Sequence, residues 1–174
     1  MKNRERGSEI LEFALVIIPF LAMVTVLMDV SWSIFVKSSI QRAVRVGVTQ
    51  GVVMTASQMS QGVCLTDAVK SIVQNNSYGM LSGSAGLALI KVNYFEPPAP
   101  GSTGAVTDVS ATSTADVSGN IMQVSVQNFS LAPLIPRIVS LNDAVDNTAL
   151  NVNVYSAGVI QLTSDPPTCV GKAP

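Results

Sequence analysis

Two carboxylates at the start of a long apolar run are the side chains whose placement most suggests chemistry. Glu9 and Glu12 stand just before FALVIIPFLAMVTVLM, a stretch without charge from Phe13 to Met28. A carboxylate at the edge of a hydrocarbon layer is costly, and where one occurs it usually has a partner and a function. The chemistry open to Glu12 is therefore ion pairing, and the sequence has to supply a cation at the same level.

Enzymatic chemistry has little support in the residues. Histidine is absent, which removes the commonest general base and the commonest metal ligand together. There is no G-x-S-x-G elbow, no P-loop and no C-x-x-C pair. Asp143 and Asp146, each beside an asparagine, have oxygens that suit calcium, although turn capping is the interpretation we favour. We expect no catalytic site, no cofactor, no metal and no small-molecule substrate.

Composition points to a membrane-associated chain. Its 174 residues are enough for one membrane segment and one modest domain. Only 12% of residues are charged and the mean hydropathy is +0.42, both unusual for a freely soluble protein. A formal net charge of −1 and the absence of a basic block after Arg45 argue against nucleic acid as a partner.

The apolar run predicts a single membrane span. Residues 13–28 would cover roughly 24 Å as a helix, and extending the segment to residues 8–36 is enough for a hydrocarbon core of about 30 Å. Basic residues are concentrated before the run, whereas Lys37 alone follows closely. This bias predicts a cytoplasmic N-terminus and an extracytoplasmic domain over residues 37–174. The basic residues before the run are Lys2, Arg4 and Arg6.

Three kinds of N-terminal segment fit this pattern unequally. A cleaved secretory signal would have a shorter apolar core and a better cleavage site than Ser31-Trp32-Ser33. A plain signal anchor explains the hydrophobicity and leaves Glu12 without a role. Trp32 and Phe35 suit aromatic anchors at the outer interface. Asp29 fits the outer headgroup level, with pairing to a basic residue of another subunit as the alternative.

The third kind of segment uses all of these residues. RGSEILEFALVIIPFLAMVTVLMDVSWSIFVKSSIQRAVRVGV resembles the TadE-like segment of minor pilins (pseudopilins) of the tight-adherence, or Tad/Flp, type IV pilus system. The resemblance covers roughly residues 6–50. It rests on the Arg-Gly end of a leader, the Glu-Phe-Ala start of the apolar run, the proline within it, and the Ala/Gly-rich helix that follows.

The resemblance implies a function and a processing site. It implies a leader at residues 1–7, cut by a prepilin peptidase between Gly7 and Ser8, and a pilin-like α+β fold. The implied partners are the peptidase, other pilin subunits, the Tad assembly platform and the cytoplasmic membrane, in a pilus that serves surface adhesion. The open alternative is a single-pass, membrane-anchored extracytoplasmic binding module that keeps its leader.

Cleavage would give Glu12 its partner. It would create an α-ammonium at Ser8, one helical turn before Glu12, and the two charges could pair within one chain or between neighbouring subunits. In pilin-like families the equivalent glutamate is thought to set subunit register. The cut would also remove the cations that hold the N-terminus in the cytoplasm, so that the helix could leave the bilayer.

The helical pattern continues beyond Lys37 to about residues 50–61. Ala43, Gly47 and Gly51 recur every four residues, and glycine inside a helix costs about 1 kcal/mol relative to alanine. This ridge of small residues therefore predicts that another backbone comes close. The neighbour is either another element of the same domain or a helix of a partner subunit.

The remaining sequence predicts an α+β domain with a small antiparallel sheet. Residues 66–74 read as a short helix with its N-cap at Thr66-Asp67. Residues 89–94, 122–127 and 150–154 read as strands that pack on the long helix. A bulge or break at Gly158 precedes a possible further strand at 159–163. In the second strand, we expect the apolar residues of the alternation to face the core.

Two other segments and the cysteines complete the predictions. Residues 97–119 read as a long exposed loop. Residues 129–141 contain two prolines and cannot be a central strand, so they either cover a sheet edge or expose a contact patch. Cys64 and Cys169 would meet an oxidising compartment, and we predict a disulfide worth about 4–5 kcal/mol in the chain-entropy model; two unpaired buried cysteines are the alternative.

Overall fold

A computed structural model describes residues 5–54, 64–112, 114–131 and 150–161 of the chain. Its elements follow the order three helices, then four strands, and the prediction of an α+β fold with a long N-terminal helix and a small antiparallel sheet is confirmed. The helices are α1 (Glu5–Gly51), α2 (Leu65–Asn75) and α3 (Gly83–Leu89). The strands are β1 (Ile90–Glu96), β2 (Thr107–Asp108), β3 (Ile121–Leu131) and β4 (Leu150–Val159).

The first compact unit contains the first part of α1, up to Phe35. Residues 13–28 of this part carry no charge and are apolar on every side of the helix. α1 is a helix throughout despite Pro19, which cannot donate a backbone hydrogen bond. The second unit begins at Val36, where α1 becomes one-sided. On its second part, apolar side chains at three- and four-residue steps are buried, as expected for a helix that packs on a core. These residues are Val36, Ile40, Ala43, Val44 and Val48.

The sheet has the strand order β2-β1-β3-β4. β1 pairs antiparallel with both neighbours, and Val92 lies opposite Val124 in the β1–β3 register. Alternate residues of the central strands are buried, which confirms the predicted inward face of β3. The buried side chains on this face are Ile90, Val92, Tyr94, Met122, Val124 and Val126; Ser125 and Leu131 of β3 are buried as well.

Helix α2 supplies the third layer of the core. Leu65, Val69 and Val73 are fully or almost fully buried at four-residue spacing. The helix begins one residue before the predicted cap: Cys64 holds the N-cap position, and its side chain accepts no capping hydrogen bond from the first turn. The prediction that Thr66-Asp67 caps the helix is therefore wrong. Asp67 lies in the first turn, where a negative charge suits the helix dipole.

The strands depart from prediction in three ways. Helix α3 precedes β1 and was not expected, because its seven residues are too few for a periodic signal. β3 runs on to Leu131, so residues 129–131 do belong to a central strand; Pro133 and Pro136 come after the strand has ended. β4 continues through Gly158 to Val159, so a break at Gly158 is wrong, whereas a bulge there stays a prediction.

Gly158 has a packing role in place of a break. A Cβ atom there would lie 2.9 Å from Cγ1 of Val48 and 3.2 Å from Cγ1 of Val52. The missing side chain therefore lets the end of α1 lie close against β4. Just beyond the strand, the Gln161 N–H donates to the Val52 carbonyl over 2.8 Å and joins the two elements again.

The stretch between β1 and β3 has two parts. Residues 97–108 are exposed, and they include the two residues of β2. Farther on, Val109, Ala115 and Asp116 are buried. Asn120 organises this second part, since its side-chain amide donates to the carbonyls of Thr114 and Ala115 at 2.9 and 3.0 Å.

The close packing of α1 against α2 at Gly47 predicts how a larger side chain there would change the stability of the protein. A Cβ at Gly47 would overlap Cγ2 of Val73. We expect Gly47→Ala to lower the free energy of unfolding by about 1–2 kcal/mol, because the cost of overpacking exceeds the gain in helix propensity. Chemical denaturation of the full chain in detergent, followed by circular dichroism, measures the change.

Two further variants test the cause. In a Val73→Ala background, where the overlapping methyl groups are gone, Gly47→Ala should cost nothing further or stabilise the protein. Gln50→Ala, on the exposed side of α1, should change stability by less than about 0.5 kcal/mol. An equal cost of Gly47→Ala in both backgrounds would contradict the packing explanation.

Candidate functional site

The proposed processing and pairing residues lie in the first turns of α1. The helix begins at Glu5 and includes Gly7, Ser8 and Glu12. In an α-helix, residues four apart lie one above the other on the same face, with Cβ atoms about 5–6 Å apart. Ser8 and Glu12 therefore share a face of α1, as pairing between a Ser8 amine and the Glu12 carboxylate requires.

The surroundings of Glu12 are apolar and exposed. Ile10, Leu11 and Phe13 each leave about two thirds of their surface uncovered, at 71%, 67% and 68%. Exposed apolar surface on this scale is unfavourable in water at about 25 cal/mol per Å². Among the described residues, one helix is long and apolar enough to cross a membrane, and it is this one, over Ile10–Gly51. Its most apolar stretch of 18 residues has a mean hydropathy of 2.6, and none of that stretch is buried.

Polar side chains within this apolar part bond back to their own helix. The hydroxyls of Thr25, Ser31 and Ser33 donate to the carbonyls of Ala22, Leu27 and Asp29 at 2.8, 2.7 and 2.9 Å. Satisfying polar groups within the segment is what hydrocarbon demands. The hydroxyl groups therefore do not argue against a span.

An apolar groove follows one face of the same part of α1. Its volume is about 510 Å³. At the end of the groove nearest the second part of α1, the rings of Trp32 and Phe35 stack, with their centroids 5.7 Å apart. Its lining consists of Val24, Leu27, Met28, Ser31, Trp32 and Phe35.

The small-residue ridge faces elements of its own chain. Ala43 is fully buried, and Gly47 lies against Val73 of α2. A Cβ at Gly51 would come within 2.6 Å of Val69 Cγ2 and within 2.8 Å of Met122 Cε. The close neighbours of the two glycines are therefore α2 and β3. A contact of this ridge with a partner subunit stays a prediction.

The cysteine pair and the acidic pair are placed only in part. Cys64 is buried at the start of α2. Cys169, Asp143 and Asp146 lie outside the described residues, so the disulfide and the ion site remain sequence-based expectations. Within the described ranges, no three histidine, cysteine, aspartate or glutamate side chains come together as metal ligands.

A cluster around Tyr94 was not foreseen. The Tyr94 hydroxyl shares a 3.0 Å hydrogen bond with the Thr66 hydroxyl at the start of α2. Its backbone N–H donates to Ser110 Oγ at 2.8 Å, and Ser110 in turn donates its hydroxyl to Asp108 at 2.6 Å and its N–H at 2.9 Å. The contacts of Tyr94 with Thr66 and Ser110 join residues far apart in sequence, so no local pattern could have revealed them.

The cluster shifts two pKa values. The two hydrogen bonds from Ser110 hold the pKa of Asp108 below its usual range, so this exposed carboxylate stays ionised. Burial raises the pKa of Tyr94 from 10.0 to about 12; the hydrogen bond to Thr66 opposes the rise, and the carboxylates of Asp116 and Asp67 add to it. The buried phenol is therefore neutral at physiological pH, and its role is structural.

Alkaline unfolding should report on Tyr94. Its pKa is raised in the folded state, so the stability that depends on its proton is complete below the unfolded pKa of 10.0 and is lost as pH rises towards about 12. The full difference corresponds to about 3 kcal/mol. Denaturant titrations of the full chain in detergent from about pH 9 to 12 measure the loss.

Two phenylalanine variants isolate this contribution. Tyr94→Phe should remove that part of the pH dependence, at a cost of about 1 kcal/mol near neutrality for the lost hydrogen bond. Tyr155→Phe is the matched control because Tyr155 is 56% exposed. Equal alkaline slopes for Tyr94→Phe and the unsubstituted chain would count against this explanation.

Comparison with known proteins gives one match. Residues 7–49 match the family model of TadE-like proteins. No curated protein and no solved structure matches the chain significantly. The matched stretch begins at Gly7 and includes Ser8, Glu12, the apolar helix and the first two residues of the small-residue ridge. The TadE-like resemblance of the N-terminal helix is confirmed: residues 7–49 of this chain are similar to TadE-like proteins.

Proposed function

We propose that this protein is a minor pilin, or pseudopilin, of a Tad/Flp pilus. It is inserted into the cytoplasmic membrane as a precursor, cut by a prepilin peptidase after Gly7, and assembled into the pilus or its initiation complex through its N-terminal helix. Its role is structural, in adhesion and surface attachment. The observation that carries the proposal is the TadE-like match over residues 7–49, which contains the whole apolar run of α1 and continues into the second part of the helix.

The charge at the membrane edge explains why cleavage would matter. An α-ammonium at Ser8 and the carboxylate of Glu12 share one face of α1, within a turn of each other. At the edge of a low-dielectric layer, attraction between them offsets much of the cost of holding either charge there. Before cleavage, the Ser8 nitrogen is a neutral amide and carries no charge that could attract a carboxylate.

The leader also accounts for orientation and release. Lys2, Arg4 and Arg6 precede the apolar helix and favour a cytoplasmic N-terminus. Once they are removed, the helix carries no cationic tether on that side of the bilayer. A subunit cut after Gly7 can then be drawn outward, with its domain from residue 37 onward already outside. Other pilin subunits and the Tad assembly platform are the partners that this step needs.

The alternative function is a single-pass, anchored binding module outside the cytoplasm. Such a module needs the apolar helix and needs neither a cut after Gly7 nor a carboxylate at Glu12. The two proposals therefore differ at two residues that can be changed without touching the folded domain. Both place the protein in the cytoplasmic membrane.

Cleavage is tested by the N-terminus of the mature chain. In cells that contain the prepilin peptidase, mass spectrometry of the membrane-extracted protein should find a chain that starts at Ser8. A Gly7→Leu variant should accumulate as precursor, because a bulky side chain at the cut hinders the peptidase. Mature, functional protein that retains residues before Ser8 would refute the proposal.

The role of Glu12 is tested by assembly without loss of insertion. We expect Glu12→Ala to insert normally and to lower the number of pili per cell by at least about tenfold, the equivalent of about 1.4 kcal/mol in assembly. Membrane fractionation measures insertion, and electron microscopy with immunolabelling measures assembly. The apolar substitution makes insertion easier, so any loss belongs to a later step.

Glu9→Ala is the matched control for this experiment. It removes a carboxylate of the same charge. Glu9, however, lies about 100° around the helix from Ser8, whereas Glu12 lies about 40° from it. Pili should form at close to the normal number in this variant. Similar assembly of Glu12→Ala and Glu9→Ala would favour the anchored binding module.

A further inference from the structure

The loop between β1 and β2 consists of small residues and carries no charge. Residues 97–106, which we call the β1–β2 loop, connect Glu96 to Thr107, and these two residues pair with each other at the end of the sheet. Every residue of the loop is exposed. Its sequence, PPAPGSTGAV, has valine as its one large apolar residue. The loop buries no core, so packing does not explain its composition.

A tight turn orders the first half of this loop. The Ser102 N–H donates to the Ala99 carbonyl over 2.9 Å and closes a four-residue turn with Pro100 and Gly101 at its centre. Gly101 has a φ of +87°, which the third position of a type II turn requires, and proline suits the second position. Thr103 follows directly. Two adjacent hydroxyl residues therefore come straight after a turn of defined shape, with small residues on both sides.

The hydroxyls of Ser102 and Thr103 have no role in holding the fold. Both residues are exposed, and no hydrogen bond within the described part of the chain involves either hydroxyl. Thr112, in the segment after β2, behaves differently, because its hydroxyl donates to the Val109 carbonyl at 2.7 Å. The two loop hydroxyls are thus open to a reaction partner from outside the chain, whereas the hydroxyl of Thr112 stabilises its own turn.

We propose that Ser102 and Thr103 form an O-glycosylation site. Exposed segments rich in serine, threonine and proline are a kind of sequence that carries O-linked sugars. The sugar donor is of the class in which a diphosphate joins the sugar to a membrane polyprenol. The inference rests on the proposed function in one respect, the position of the domain outside the cytoplasm, which the anchored binding module shares.

The transfer is a substitution at the anomeric carbon of the sugar. The hydroxyl oxygen of Ser102 or Thr103 bonds to that carbon, and the bond between the carbon and the phosphate oxygen of the donor breaks. The polyprenyl diphosphate leaves with the electron pair of the broken bond, and the hydroxyl proton passes to a base of the glycosyltransferase. This chain supplies the acceptor hydroxyl and the exposed backbone that the transferase binds.

Phosphorylation is the competing modification, and the charges beside the loop disfavour it. A phosphate adds about −1.5 to −2 charge at pH 7, which neighbouring carboxylates repel. Glu96 and Asp108 flank the loop, and hydrogen bonds from Ser110 stabilise the ionised form of Asp108. The nearest basic residues in the sequence are Lys91 and Arg137. A neutral sugar meets no such repulsion.

A sugar on this loop would lie beside one edge of the sheet. β2 is the edge strand on that side, and it has only two residues. The exposed edge of a sheet can pair with a strand of another chain, and natural proteins limit this with short or covered edges. A bulky, hydrated group on the loop that joins β1 to β2 adds to that protection.

Mass spectrometry of the full chain tests the site. The protein is extracted from the membranes of the cells that naturally produce it and is cut after Lys91 and before Asp108, which isolates residues 92–107. We expect this peptide to carry the added mass of one or more sugars, located at Ser102 or Thr103 by fragmentation that preserves glycosidic bonds. The neighbouring peptide, residues 108–115, should carry no sugar.

Three variants test the two hydroxyls. Ser102→Ala/Thr103→Ala should lose the sugar from the peptide completely. Ser102→Thr/Thr103→Ser exchanges the two residue types, keeps both hydroxyls and should keep the sugar. Thr112→Ala is the matched control, because Thr112 is also exposed and its hydroxyl is already bonded within the chain; the modified fraction should not change.

The other outcomes would overturn the inference. These are an unmodified peptide 92–107, a phosphate in place of the sugar, a sugar confined to residues 108–115, and a sugar that persists in the double alanine variant. The N-terminal peptide of the same digest reports cleavage separately. A chain that starts at Ser8 with an unmodified loop would contradict glycosylation and leave the proposed function standing. A glycosylated mature chain that keeps its leader would do the reverse.

Discussion

The apolar surface of the first part of α1 is the constraint on which the rest of the protein depends. Most of its large side chains leave half or more of their surface uncovered, and water cannot accommodate that much apolar area without aggregation. A hydrocarbon layer can, provided that the helix satisfies its own backbone and its few hydroxyls, as Thr25, Ser31 and Ser33 do. In such surroundings a carboxylate has few acceptable positions, which is why Glu12 attracts a functional explanation.

The second part of α1 meets a different requirement with the same backbone. From Val36 onward the helix has one buried face, and small residues on that face let it approach α2 and β3 closely. The opposite face keeps its charges in solvent. A single helix thus passes from an all-round apolar surface to a two-sided one, and the TadE-like match, which extends to residue 49, includes both kinds of surface.

Sequence reasoning succeeded where the signal was local and periodic. The long helix, the inward face of β3 and the α+β class all follow from spacing alone, because burial imposes a repeat on each element. It failed where distant residues decide the outcome. Gly158 was read as a break because an isolated glycine weakens a strand, yet its absent side chain makes room for Val48 and Val52. The Thr66–Tyr94–Ser110–Asp108 contacts join three separate segments, and nothing in any one of them indicates the others.

The junction between α1 and β4 has a mechanical consequence. Where the helix ends, Val52 accepts a hydrogen bond from Gln161, and Gly158 lies against Val48 and Val52. A force that pulls on α1 along its axis is therefore resisted by this junction and by the whole interlocked seam from Gly47 to Gly51, with many small contacts loaded in parallel. Separating the two surfaces along the helix axis requires all of these contacts to break together. The domain therefore stays attached to its helix under a pulling force.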